Sequence, residues 1–449
     1  MARAVRGPKT LGERAINASI WNVAAFGVQY PLRLAGNVIM TRILAPDDFG
    51  LMAVILSLHV GLLLLSDVGI GQSILRDPAG GTGRFLRTAW VVQILRGLVL
   101  AACLGLIGLT LGCLGHLDAA GETVYSDPRL PALIGASSLV FVLTGMQSTN
   151  LYLAVKNMQA SRHVAVELGA QVVTFGAMIS FALVLENVWA LLWGAVAGAG
   201  SKTVFSHLFL SGPKMRWCWN LTQVRVIWGF GKWLIAASLG GFLIAHGDRL
   251  VLSAMVSAEQ LGIYAIAVLW IEAGRQVLLK VSHVVFIPAF SQMLAKRPDE
   301  VGSKLRLAFR YYSLTCTGTA CLTAGIAIAM IEYLYDNRYS GAIPLVLALS
   351  MRNVMQRYSV LDQFILSLGD SRYVAFANLA GGLASLAVIG IADSAWGLPA
   401  AAIAAGLSSA PMYALVMIHP RVAPHINQRL EALLLGATVA IALLLGGGT

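Results

Sequence analysis

The chain has 449 residues, of which 57% are hydrophobic and only 12% are charged, and its mean hydropathy is +0.75. A soluble chain of this length needs far more charge to cover its surface, so the composition excludes a soluble enzyme or binding domain and indicates an integral membrane protein. The formal net charge of +11 comes without any nucleic-acid-binding pattern, and no nucleic-acid partner is expected.

Apolar stretches long enough to cross a bilayer follow one another along the whole chain. The first runs past twenty residues and lacks a small-residue cleavage site, so it is interpreted as a span and not as a signal peptide. The second, seventh and thirteenth stretches are short or interrupted, which leaves twelve and fourteen open as alternative counts. The predicted spans are 17–40, 49–67, 86–114, 130–154, 163–185, 189–211, 227–248, 261–288, 306–332, 342–368, 372–392, 396–418 and 429–446.

The basic residues between the spans indicate the orientation. With the N-terminus in the cytoplasm, 20 of the 32 Lys and Arg residues lie in cytoplasmic segments, four lie in outer loops, and eight remain inside predicted spans. This distribution follows the positive-inside rule. We therefore predict a multi-pass protein of the cell inner membrane with a cytoplasmic N-terminus.

The chain repeats itself at an offset of 212 residues, which aligns Trp21–Val54 with Trp233–Ile266 without a gap. Six spans separate the copies, so both enter the membrane from the same side, as in parallel-repeat transporters. The predicted fold is an all-α integral membrane protein with two parallel-repeat lobes of six transmembrane helices around a central cavity, plus one or two C-terminal helices. The predicted domains are a cytoplasmic N-terminus (1–16), an N-lobe (17–211), a cytoplasmic linker (212–226), a C-lobe (227–418) and an additional C-terminal helix (429–446).

Eight basic residues lie within the predicted spans. A cation at the centre of a spanning helix costs about 2.5–3.5 kcal/mol, so these side chains are expected to face a watery interior. The interior carboxylates identified from the sequence are Glu167, Glu272 and Asp362. The excess of cations predicts an anion-binding cavity, and arginine suits phosphate because its planar fork binds two oxygens at once. The eight cations are Arg33, Arg96, Lys202, Lys232, Arg275, Lys280, Arg352 and Arg357.

Helical spacing indicates which polar side chains share a face. Gln29, Arg33 and Asn37 form one stripe on the first span. On the eighth span Gln276 and Lys280 form another, with Arg275 beside it. The predicted diphosphate and glycan contacts are Arg33, Arg275, Arg96, Lys280, Arg357, Gln29, Asn37 and Gln276. Glu167 and Glu272 are candidates for ion coupling, and no catalytic residue, metal or cofactor is predicted. Because the sequence has no GxxxxGK(S/T) loop, the chain is not expected to drive transport with ATP.

A structural alternative for these charges stays open, in which they serve the fold and bind nothing. Glu272 is within helical reach of Arg275 and Gln276, so these groups pair with one another in that alternative. Lys202, Lys232 and Arg352 lie near predicted cytoplasmic ends and are expected to extend to the water interface.

Several segments resemble a known family. Thr41–Leu51 (TRILAPDDFGL) is similar to the TRxLxPxDFG signature of the bacterial polysaccharide transporter, or oligosaccharide flippase, family. Ser66–Gln72 resembles its DxGxG segment, in which Asp67 is expected to cap the end of the second span. Asp248-Arg249 together with Leu261–Ala265 resembles its "D+…LGxY" stretch, and Phe286–Ser291 is similar to its turn before the ninth helix.

The resemblance implies that the protein is a flippase and not an enzyme. It implies translocation of undecaprenyl-diphosphate-linked oligosaccharide across the inner membrane for O-antigen, capsule or exopolysaccharide biosynthesis. The implied partners are this lipid-linked substrate, membrane lipids and polysaccharide polymerase or export machinery. A multidrug/cation antiporter of the same superfamily is the alternative, which three interior carboxylates against eight cations disfavour. A membrane glycan polymerase or glycosyltransferase is disfavoured because the chain has no D-x-D motif and no large outer loop.

Overall fold

The computed structural model describes residues 11–114 and 123–425, and these residues form α-helices joined by loops and short 3-10 turns. Helices suit a bilayer because they satisfy every backbone hydrogen bond within one segment. The helices are α1 (Leu11–Ile43), α2 (Pro46–Leu65), α3 (Ile70–Arg76), α4 (Gly83–Leu114), α5 (Leu130–Gly145), α6 (Asn150–Lys156), α7 (Ala160–Leu185), α8 (Trp189–Leu208), α9 (Leu221–Leu252), α10 (Ala258–Lys296), α11 (Val301–Leu334), α12 (Ala342–Met355), α13 (Ser359–Ser367), α14 (Ser371–Gly406) and α15 (Ala410–Met417).

Each of the first twelve predicted spans falls on a helix or on a pair of consecutive helices. The span predicted at 130–154 is a pair, α5 and α6, bent by 53°, and a 3-10 turn at Gln356–Tyr358 divides the span predicted at 342–368. Six of the described helical segments are long and apolar enough to cross a membrane, or seven with the bent pair. The all-α, multi-pass membrane fold is thus confirmed, while the span predicted at 429–446 lies outside the described residues.

Helix α10 extends beyond the span predicted at 261–288 at both ends. Ser257 and Gln260 form a capping box, in which each side chain bonds the other residue's backbone N–H, so the helix begins at Ala258. At the other end the turn expected at 286–291 is wrong, because α10 continues through Pro288 to Lys296. Proline removes one helical hydrogen bond but does not end the helix here.

The described helices form two compact units. The first unit contains α1, α3 to α8 and the start of α9, and the second contains α2, the rest of α9 and α10 to α15. Helix α2 belongs to the predicted N-lobe in sequence but packs within the second unit. A lobe is a set of helices that moves as one body. Since the two compact units do not show which helices move together, the division into N-lobe and C-lobe stays a prediction.

In the first unit α7 packs along α8 and α1 packs on α7. The contact depends on small residues: Gly194 and Gly198 of α8 lie against Met178 and Thr174 of α7. This small-xxx-small spacing brings two backbones close together where lipid gives no hydrophobic driving force. Helix α7 therefore forms the centre of this unit.

In the second unit α2 and α10 contact each other reciprocally near their N-terminal ends. Helix α2 begins at Pro46 and α10 at Ala258, which is the repeat offset. A Cβ added at Gly50 would overlap the backbone carbonyl of Ala258, and one added at Gly262 would overlap the carbonyl of Pro46. Since the offset converts one contact into the other, the pair has the isologous geometry of a two-fold axis.

A cluster around Arg129, just before α5, joins the same unit. Its guanidinium binds Asp47 at 2.7 Å, Asp127 at 2.8 Å and Asp48 at 3.4 Å. Burial acts to raise the pKa of Asp127, but hydrogen bonds from Arg129 outweigh it and hold that pKa below its ordinary value. Asp47 and Asp48 also lie in the first turn of α2, where the helix dipole favours negative charge. The cluster therefore anchors the loop to the start of α2.

We predict that Gly50→Ala and Gly262→Ala each destabilise the protein, since the added methyl groups force the α2 and α10 backbones apart. Overpacking of this kind costs about 1–3 kcal/mol, and the measurement is the thermal unfolding midpoint of the purified protein in detergent. Gly318→Ala in α11 is the control because its added Cβ meets nothing within 4 Å. Equal midpoints for all three variants would contradict the close helix contact.

Candidate functional site

Arg96 on α4 has a counter-charge in the first unit. Its Nε donates to Ser66 Oγ at 2.9 Å, and its Nη1 lies 4.0 Å from Asp67 Oδ1. The same Asp67 oxygen accepts from Gly69 N at 3.0 Å, where Gly69 has a left-handed φ of 66° that glycine adopts without strain. The DxGxG segment thus caps its turn as expected, and it also neutralises Arg96.

Glu167, a predicted coupling carboxylate, is held by a cation. Its Oε1 lies 2.7 Å from Lys202 Nζ on α8 and 4.0 Å from His163 Nε2. Lys202 therefore has a carboxylate on the neighbouring helix as a partner, while its extension to the water interface stays a prediction. The pair ties α7 to α8.

Arg33 on α1 is exposed and has no ion pair within residues 11–114 and 123–425. Gln29 and Asn37, one turn to either side, are partly buried. The backbone oxygen of Gln29 accepts from Gln171 Nε2 on α7 at 2.9 Å, which fixes this part of α1 on the first unit. Arg33 is thus a cation on a held helix whose charge no described carboxylate neutralises.

Arg275, the second main candidate, is paired on its own helix in the second unit. Its Nε and Nη2 donate to the two carboxylate oxygens of Glu272 at 2.7 and 2.8 Å, and Gln276 donates to Glu272 as well. This is the helical pairing that the structural alternative foresaw. The structure therefore joins three predicted site residues into one cluster, in which Glu272 already neutralises Arg275.

The other two candidates in this unit, Lys280 and Arg357, differ in their surroundings. Lys280 lies one helical turn after Gln276 on α10, and its side chain is exposed. Arg357 is partly buried, lies over the ring of Tyr358 at 4.6 Å from its centroid, and donates to the Tyr358 hydroxyl. Of these two cations, Lys280 is the more open to a ligand.

Arg352 forms a buried triad with Asp248 and Tyr264, drawn from α12, α9 and α10. Its Nη2 lies 2.6 Å from Asp248 Oδ2, and its Nε donates to the Ala405 carbonyl at 3.0 Å. The Tyr264 hydroxyl donates to the same Asp248 oxygen. Arg352 is only 6% exposed and Asp248 1%, so the expectation that Arg352 extends to the water interface is wrong.

These pairs correct the charge balance inferred from the sequence. Asp67 and Asp248 lie near the ends of predicted spans, so span position alone does not predict them as interior carboxylates. Each nevertheless neutralises an arginine within a predicted span. Four of the eight cations therefore have a carboxylate within 4.0 Å, and the interior is less positive than expected. The side chain of Lys232 lies outside the described part of the chain. The paired cations are Arg96, Lys202, Arg275 and Arg352.

The fold is shared with solved membrane proteins. The inward-facing conformation of a multidrug resistance MATE family transporter of the MOP superfamily matches with a TM-score of 0.63 at 12% identity, covering 90% of this chain and 95% of that one. The lipid II flippase MurJ, in an inward closed conformation, matches with a TM-score of 0.60 at 10% identity, covering 96% of each chain. At such low identity these likenesses establish the fold alone.

The sequence identifies the family to which the chain belongs. The family model of the polysaccharide biosynthesis proteins matches residues 39–344, and the chain belongs to that family. It is 24% identical over 349 residues to the lipopolysaccharide biosynthesis protein WzxC of Escherichia coli strain K12, covering 75% of this chain and 66% of that protein. The chain spans between 56% and 66% of the length of the curated relatives that it matches.

We predict that Arg352→Ala strongly destabilises the protein, since it leaves Asp248 as a buried charge without a counter-ion. Breaking a buried pair in this way costs about 3–5 kcal/mol. The double variant Arg352→Met with Asp248→Leu removes both charges and is expected to recover much of the loss. The measurement is the thermal unfolding midpoint in detergent.

Arg338→Ala is the matched control, because its partner Asp336 and Arg338 itself are exposed by 36% and 44%. Exposed pairs contribute about 0–1 kcal/mol, so this variant should unfold close to the wild type. The buried triad would lose its structural role if Arg352→Ala behaved like Arg338→Ala.

Proposed function

We propose that the protein translocates an undecaprenyl-diphosphate-linked oligosaccharide across the inner membrane for the biosynthesis of a surface polysaccharide. Three findings support the proposal: membership of the polysaccharide biosynthesis family, a fold shared with a lipid II flippase, and a cation on a membrane helix that has no ion pair in the described residues. The protein acts as a transporter and not as an enzyme, with its N-terminus in the cytoplasm. Polysaccharide polymerase or export machinery receives the product.

The state of Arg33 is the observation that carries the proposal. Among the described residues Arg96, Lys202, Arg275 and Arg352 each have a carboxylate within 4.0 Å, whereas Arg33 is exposed and has no ion pair there. A cation at membrane depth needs water or an anion to offset its cost. A diphosphate supplies that anion, and the guanidinium fork holds its oxygens in two places. Gln29 and Asn37 provide amides for glycan hydroxyl groups on the same stripe.

Arg275 takes a second, exchangeable part in the proposed mechanism. Its guanidinium already holds a bidentate carboxylate, so the geometry that binds Glu272 also suits a phosphate. When the diphosphate arrives, Arg275 transfers its hydrogen bonds from Glu272 to phosphate oxygens, while Gln276 keeps Glu272 bonded. Arg96, Lys280 and Arg357 are the remaining cations proposed around the substrate path.

The proposed cycle is alternating access, in which the cavity opens first to the cytoplasm and then to the outside. An inside-negative membrane potential favours outward movement of an anion by about 2.3 kcal/mol per charge per 100 mV. The potential therefore assists the movement of the diphosphate. A cationic drug is disfavoured as a substrate, because Arg33 repels it at the same position.

We predict that Arg33→Ala lowers translocation at least tenfold, since a charge-assisted hydrogen bond contributes about 1.5–3 kcal/mol. The measurement is the amount of lipid-linked glycan that accumulates in a deletion strain complemented with each variant at matched membrane levels. Arg33→Lys keeps the charge without the fork and should retain part of the activity. Arg275→Ala is expected to impair translocation as well.

Arg297→Ala is the control for this experiment, because Arg297 is a 73% exposed side chain after α10 whose ion pair with Glu300 lies within one short turn. It should complement like the wild type. Full activity of both Arg33→Ala and Arg275→Ala would sink the cationic-site hypothesis.

A further inference from the structure

Asp362 lies in the first turn of α13, directly after the 3-10 turn that separates α12 from α13. Together these elements cover one predicted span, so the span is interrupted in its middle. A 3-10 stretch within a helix often marks a functional hinge. The backbone stays helical through this tightened turn, with Gln356 N–H bonded to the carbonyls of Arg352 and Val354.

Buried polar side chains surround this interruption, and Asp362 among them is partly buried. Gln356, Ser359 and Gln363 are 6%, 2% and 2% exposed, and Ser359 Oγ is hydrogen-bonded to Ser282 Oγ of α10 at 2.8 Å. Gln363 Nε2 donates to Asp362 Oδ1 at 3.3 Å. In the part of the chain that the structure describes, Gln363 Oε1 has no hydrogen-bond partner, although an unsatisfied buried acceptor costs about 1–3 kcal/mol.

Protonation of Asp362 accounts for its lack of an ion pair in the described residues. Within residues 11–114 and 123–425 Asp362 has no ion pair, whereas Glu167 and Glu272 each have a cation at 2.7 Å. A carboxylate withdrawn from water without a counter-ion is so costly that it takes up a proton instead. A protonated carboxyl still accepts the hydrogen bond from Gln363 Nε2 through its carbonyl oxygen.

The elements packed against α13 are α10, α11, α14, α15 and the 3-10 turn at Gln356–Tyr358. The aliphatic Val374 and Ala377 of α14 lie in the same apolar cluster as α13, and Tyr413 of α15 interacts electrostatically with Asp362. No described cation lies within 4.0 Å of Asp362. The same Tyr413 also interacts electrostatically with Tyr312 and Cys316 of α11 and with Arg275 of α10. Further titratable groups on the neighbouring elements include Lys280 and His283 of α10, Arg357 and Tyr358 of the 3-10 turn, and Arg372 and Tyr373 of α14.

We propose that Asp362 is the proton-binding site that couples translocation to the proton gradient, in place of the ion-paired Glu167 and Glu272. This inference rests on the proposed translocation function. Proton binding removes one negative charge from the second unit and proton release restores it. The charge on this unit therefore depends on whether Asp362 is protonated.

The test is infrared difference spectroscopy of the purified, substrate-free protein in liposomes, between alkaline and acidic pH. In the wild type the carbonyl stretch of a protonated carboxylic acid should appear as the pH falls. Asp362→Asn should lose that component. Asp393→Asn, which removes another carboxyl group without an ion pair in the described residues, should keep it.

Asp362→Glu provides a second variant, since it restores a carboxyl group if the asparagine variant does not fold. Its carbonyl component should reappear at a shifted frequency. A full wild-type band in folded Asp362→Asn would overturn the assignment. Because the spectrum needs no substrate, that result leaves the proposed translocation function intact. The translocation function is tested separately, by complementation with the Arg33 variants.

Discussion

The free energy of a charge in hydrocarbon is the constraint on which the rest of this structure depends. A cation in a spanning helix costs about 2.5–3.5 kcal/mol unless a carboxylate, water or a bound anion offsets it. Four such cations in this protein have a carboxylate within 4.0 Å. Three of these pairs join α4 to the turn after α2, α7 to α8, and α12 to α9. These four charges are therefore structural, whereas Arg33, which is exposed and has no ion pair in the described residues, suits a ligand.

The helices were predictable because the length of an apolar run is a local property of the sequence. The ends were less predictable, since they depend on particular contacts such as the capping box of Ser257 and Gln260. The repeat offset also predicts which helices correspond, and α2 and α10 begin at corresponding residues. Sequence alone did not predict that Gly50 and Gly262 lie in reciprocal contacts with those helix starts.

In the candidate site, contacts within one helix were predictable from the sequence, whereas contacts between residues far apart in the sequence were not. The stripe of Gln29, Arg33 and Asn37, and the pairing of Arg275 with Glu272, follow from helical spacing. The partners Asp248 and Arg352 are 104 residues apart, so no spacing rule joins them. The family resemblance came closer, since its "D+…LGxY" stretch supplies both Asp248 and Tyr264, which the structure brings into hydrogen-bond contact.

The central claim is that Arg33 gives this part of the transporter a preference for anions. It is tested most directly with Gln29→Cys, one helical turn from Arg33, in a variant whose five native cysteines are replaced. The rates of reaction with an anionic and a cationic thiol reagent of equal size are then compared. The account predicts that the anionic reagent reacts faster and that Arg33→Ala abolishes its advantage. Equal rates with Arg33 present, or a ratio that Arg33→Ala leaves unchanged, would contradict it.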